Sequence, residues 1–157
     1  MIARLAGIGL LVSSASYCAH RMISAEKNKI DLISAYVEIV SHVKNQIDLY
    51  SLPIDKIIKG LDPSVIRRIG IDHMPSTFGE LIGTDGTSVG EETAKTLREF
   101  AFSLGKTYRD MQIKLCDKTI SELLAQKKAL MDAFPSRKKT IIALTFAICG
   151  MTVIALI

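Results

Sequence analysis

The residues in this chain with the types to do chemistry are a set of closely spaced glycines, a few histidines, three cysteines and paired carboxylates. Gly83, Gly86 and Gly90, in GTDGTSVGEE, invite comparison with a phosphate-cradling loop. Such a loop needs a lysine and a hydroxyl after its last glycine, to reach the phosphates and the magnesium ion. Here Glu91 and Glu92 follow instead, and two carboxylates repel a phosphate. His20, His42 and His73 stand far apart, with none of the short spacings that bring metal ligands together. Cys18, Cys116 and Cys149 are an odd number without paired spacing, which argues against a disulfide framework or a zinc site. Cys116 has Lys114 and Lys118 nearby, but it falls on an apolar stripe where free cysteine acts as a small hydrophobe. Glu91 and Glu92 are adjacent, so they diverge around a helix and suit capping better than shared acid–base work. No catalytic, cofactor-binding or metal-binding residue is assigned, and the expectation is a protein that is not an enzyme and takes no cofactor or small-molecule substrate.

The elements around these residues read as helices. From Ser24 to Tyr50 apolar residues recur at Ile30, Ile33, Val37, Val40, Val43, Ile47 and Tyr50, steps of three and four that draw one stripe on a helix. Pro53 fits the first turn of a short helix carrying Ile54, Ile57, Ile58 and Leu61 and stopping near Gly60. Asp62 caps the next, Pro63 presets its φ, Val65, Ile66 and Ile69 form its apolar side, and Gly70 ends it. Thr77 with Glu80, Ser88 with Glu91, and Thr107 with Asp110 have the spacing of capping boxes. Val89, Thr93, Leu97, Phe100, Ala101 and Leu104 would line one helix face. Ile113, Cys116, Ile120, Leu123, Leu124, Leu130 and Phe134 would line another, until Pro135 ends or kinks that helix. No window alternates long enough to argue a strand. The fold class expected is all-α.

With 157 residues, a hydrophobic share of 48% and positive mean hydropathy, the chain has room for one compact domain, and its apolar excess sits at the two ends. TIIALTFAICGMTVIALI, residues 140–157, carries no charge and spans roughly 27 Å as a helix, close to the hydrocarbon thickness of a bilayer. The N-terminal stretch IARLAGIGLLVSSASYCA is weaker, with Arg4 inside it and Ser13, Ser14 and Ser16 diluting it. It reads either as an uncleaved span, with Arg4 snorkelling to one interface, or as a signal peptide cut near Ser14 to Ser16. Ser16-Tyr17 before Cys18 makes a poor lipobox.

Basic residues on the central side of both stretches set an orientation: Arg21, Lys27 and Lys29 after the first, and Lys127, Lys128, Arg137, Lys138 and Lys139 before the second. The organisation expected is an N-terminal transmembrane helix at 2–20, a cytoplasmic antiparallel helical bundle at 21–136 and a C-terminal transmembrane helix at 137–157, a multi-pass protein of the lipid bilayer. Arg21, Arg137, Lys138 and Lys139 are the topology-determining residues. The formal charge of +4 raises nucleic acid as a partner, but there is no Trp, and aromatics do not interleave with an Arg-rich run. Nucleic acid is therefore not an expected partner.

The sequence of features resembles the stage III sporulation protein AB family of endospore-forming bacteria over nearly the whole chain. Two terminal spans, Arg21 at the first junction, a long helix reaching Gln46-Ile47 and Leu52-Pro53, and Gly150 in the last span follow the family's order. The most specific likeness is Leu104-Gly105-Lys106-Thr107 followed by Arg109, Asp110 and Gln112, which is similar to the family's Leu-Gly-basic-hydroxyl segment. Gln46 and Tyr108 depart from it, both standing where the family has acidic residues. The resemblance implies a helical domain similar to type II secretion platform proteins. It implies a scaffold in the secretion-like channel complex between mother cell and forespore, in the mother-cell membrane, needed for spore formation. The partners implied are the stage III sporulation protein AA ATPase and other membrane components of that complex. From the residues alone, Leu104 to Gln112 make a helical corner, and the resemblance makes it a docking surface. The alternative function is a small regulatory or signalling membrane protein unrelated to secretion.

Overall fold

The structure is a computed structural model that describes residues 2–50, 52–82 and 89–156; within these, the side chains of 2–6, 8, 11, 153, 155 and 156 lie outside the description. The described residues form helices α1 (Ile2–Tyr50), α2 (Ile54–Lys59), α3 (Pro63–Arg68), α4 (Phe78–Ile82), α5 (Glu91–Ser103) and α6 (Arg109–Leu156), with no strand among them. The chain is all-α. It divides into two compact units, one of Met1–Asn28 with Met131–Ile157 and one of Lys29–Leu130.

In the unit of Lys29–Leu130, α1 buries Ile33, Tyr36, Val40, Val43 and Ile47, the period expected of its stripe. Tyr50 is a correction: it is 64% exposed. The stripe loses its cover after Ile47, and the chain leaves the helix one step later. Ile57 and Ile58 of α2, Val65 and Ile66 of α3, and Phe78, Leu81 and Ile82 of α4 close over the same core. Phe78 meets Phe100 of α5 edge to face, centroids 5.1 Å apart, the arrangement that the ring quadrupoles favour. The Tyr36 hydroxyl donates to the Leu81 carbonyl at 3.0 Å, so a ring sunk in the core leaves no polar atom unmet.

The short helices end as their residue types dictate. Asp62 accepts from the Ser64 N–H at 2.8 Å. Gly70, at φ +83°, closes α3 with bonds from its own N–H to Arg67 O and from the Ile71 N–H to Ile66 O. At α4 the Thr77 hydroxyl accepts from the Glu80 N–H at 3.4 Å, while the Glu80 carboxylate takes the Ser76 N–H at 2.6 Å, one residue earlier than a capping box requires. Ser88 lies outside the described residues, and α5 starts instead after Gly90, whose φ of 94° few other residues tolerate.

Along α6, Cys116 and Leu123 are fully buried, and Ile113, Ile120 and Leu130 pack against the core. Leu124 is 46% exposed, because it sits about 100° around the helix from Leu123. Thr119 takes the inward place and returns its hydroxyl to Leu115 O at 2.9 Å. Lys44 pairs with Asp117 and Asp48 with Arg109, so within this unit α1 and α6 run antiparallel.

In the other unit, α6 passes through Pro135, which does not end it. A missing N–H removes one backbone bond, and the turns on either side keep the remainder. Arg137 pairs with Glu26 at 3.0 Å, and Arg21, Lys138 and Lys139 are exposed. Among the described residues, no helix is long and apolar enough to cross a membrane. The expected C-terminal stretch, 140–157, and the N-terminal one each extend into side chains outside the description.

A candidate docking corner between α5 and α6

The segment Leu104 to Gln112 joins α5 to α6. Leu104 leaves the helix with extended backbone, buries its side chain to 8% exposure and gives its N–H to Phe100 O at 2.9 Å. Gly105 then turns the chain at φ +81°, and a β-carbon there would lie 2.5 Å from Ile54 Cδ1 of α2. The left-handed backbone calls for glycine; the close approach is to the far end of the Ile54 side chain, which can turn aside. The first turn of α6 closes on the Tyr108 carbonyl, which accepts from Met111 and Gln112, each at 3.0 Å. The expected Thr107 cap is thus displaced by one residue. Thr107 contributes its carbonyl instead, accepting from the Gln112 side-chain amide at 2.7 Å. Asp110, in that first turn, is favourably placed against the positive end of the helix dipole.

Arg109 ties this corner to the end of α1. Its Nε donates to Ile47 O at 3.3 Å, and its Nη2 donates to the Asp48 carbonyl and, at 2.8 Å, to the Asp48 carboxylate. Ile47 and Asp48 belong to the last turn of α1, where carbonyls have no helical partner. A planar fork of donors satisfies them and the local carboxylate together. Two turns along α6, the Lys44–Asp117 pair at 2.6 Å repeats the link, and that hydrogen bond raises the Lys44 pKa. Cys116 stands beside it on the buried face, its thiol pushed up to about 11 by burial first and by the Asp117 charge second.

Leu104 is buried and Gln112 half-buried, while Gly105 and Arg109, though exposed, build the corner through the turn and the link to Asp48. Lys106, Thr107 and Asp110 are exposed, as is Tyr108 at 90%. Lys106 Nζ sits 3.1 Å above the centre of the Phe102 ring, a cation–π contact. Nothing local in the sequence announced Ile54 or Asp48. Arg21, Arg137, Lys138 and Lys139, the residues expected to set an orientation, belong to the other unit.

His42 Nε2 is buried without a hydrogen-bond partner among the described atoms, whereas His20 and His73 are exposed. Among the described residues, no three of His, Cys, Asp or Glu stand where they would hold a metal ion. Gly83 and Gly86 lie outside those residues. No family model, curated protein or solved structure matches the chain.

Proposed function

We propose that the chain is a non-enzymatic membrane scaffold of the stage III sporulation protein AB kind, anchored in the mother-cell membrane around the forespore. Its central part would face the cytoplasm and dock the stage III sporulation protein AA ATPase against other membrane components of the channel complex. The observation that carries the membrane part is the exposure of Ile142, Leu144, Phe146, Ile148, Met151 and Ile154 on α6. At about 100° per residue they cover about two thirds of the helix's circumference, and the less exposed Ile141 and Cys149 fall in the remaining sector. A helix in water hides an apolar stripe, and one that is apolar all round belongs in lipid. Leu10, Val12, Tyr17 and Met22 continue the same character on α1. The docking part is supported by the corner at Gly105, the segment that most resembles the family.

Deleting the gene tests the role: loss of spore formation is expected, and normal sporulation overturns it. Orientation is tested with Asp85→Cys in a Cys18→Ser background, treating intact cells with a membrane-impermeant thiol reagent. Labelling is expected only after permeabilisation; labelling before it overturns the cytoplasmic assignment.

A further inference from the structure

We propose that the outward side of the α5–α6 corner is a groove for an acidic protein segment that carries an apolar side chain. It rests on the scaffold reading only for the existence of a cytoplasmic partner. The groove, about 270 Å³, is floored by Met111 and Leu115 with the hydroxyl residues Ser103 and Thr107 at one end. Lys114 and Lys118 stand on its rim. That volume falls below the range of a drug-sized pocket and suits one anchoring side chain.

The surroundings are those of an interface core and not of a solvated corner. Phe102 is 73% exposed, Tyr108 90% and Met111 54%, although each exposes apolar area to water. Aromatic residues and methionine are the types that interface centres favour. The charges select the occupant. Lys118 meets only Glu122, at 3.7 Å, and Lys114 has no carboxylate in ion-pair range among the described residues. Carboxylates on the partner complete Lys114 and Lys118, and its apolar side chain fills the groove beside them. A uniformly anionic bilayer fits less well. A flat bilayer surface brings no single apolar side chain into a groove of this size.

The test places a benzoyl-phenylalanine photocrosslinker at Tyr108 of the full chain in its own cells, with the adduct identified by mass spectrometry. An adduct to an acidic, apolar-bearing protein segment is expected, with its yield falling at least tenfold in Lys114→Glu/Lys118→Glu and unchanged in Lys128→Glu. Since these lysines are on the surface, helical content of the double variant should match the parent. An adduct to phospholipid, no adduct, or an adduct indifferent to the charge reversal each overturns the groove. An adduct of the expected chemistry on a protein other than the ATPase supports the groove and overturns the proposed partner.

Discussion

Arg109, at the start of α6, ion-pairs Asp48 in the last turn of α1 and caps that turn's free carbonyls with the same guanidinium. Arg109→Ala should therefore cost about 1–2 kcal/mol, more than an exposed ion pair alone, because the carbonyl contacts go too. Arg109→Lys should recover less than half, since an ammonium cannot reproduce the fork. Denaturant midpoints in mild detergent check both; a loss equal to that of Asp48→Asn would mean that the carbonyl contacts contribute nothing.

Gly105→Ala meets two obstacles, the left-handed backbone and Ile54. The backbone should account for most of a loss of about 1–2 kcal/mol, with a smaller share from moving the Ile54 methyl aside. Ile54→Val removes the Cδ1 atom that the new methyl would strike. In the double variant the crowding share should return while the backbone share stays. A double-mutant cycle with zero coupling energy would contradict the contact.

Thr93 is buried and donates to Gln126 Oε1 at 2.8 Å, and the Gln126 amide donates onward to Thr96 at 3.3 Å, bridging α5 and α6. Gln126→Ala strands the Thr93 hydroxyl and should cost about 1–3 kcal/mol. Pairing Thr93→Val with Gln126→Leu removes donor and acceptor together and should lie closer to wild type. Thermal unfolding of the single and double variants decides it.

Alkaline pH should loosen this unit. Burial pushes the Cys116 thiol up to about 11 and the Tyr36 hydroxyl up to about 12, both above their ordinary values. Each neutral form binds its proton more tightly when folded, so this stability is complete below the unfolded pKa and disappears as pH rises through the folded one. Unfolding midpoints should fall as pH climbs from about 9 to 12. Cys116→Ala should flatten the lower part of that fall. The same burial predicts that the thiol stays unlabelled by a thiol reagent at neutral pH until denaturant is added.

Local chemistry was legible from the sequence and distant contacts were not. The stripe on α1, the Asp62 cap and the Gly70 stop follow from spacing and residue type, so they could be read directly. Cys116 was correctly placed in the core because it shares a face with Ile113 and Ile120. Tyr50 was misplaced because periodicity continues where packing stops. Pro135 was read as ending or kinking its helix; it does not end it, because losing one bond does not outweigh the turns around it. The corner was legible as a corner, but its meaning depends on Ile54 and Asp48, and no local pattern brings residues that far apart together.

Arg109 reaches back 61 residues to its acceptors on α1. During synthesis, at about 5–20 residues per second, that separation is an interval of roughly 3 to 12 s. Through it, the stripe from Ile33 to Ile47 has left the ribosome without α6 to cover it. The short helices α2, α3 and α4 follow at once, so they can shelter the stripe first and leave only the α6 face waiting. A stall or early stop before residue 109 would leave that half-covered surface open to chaperones and proteases.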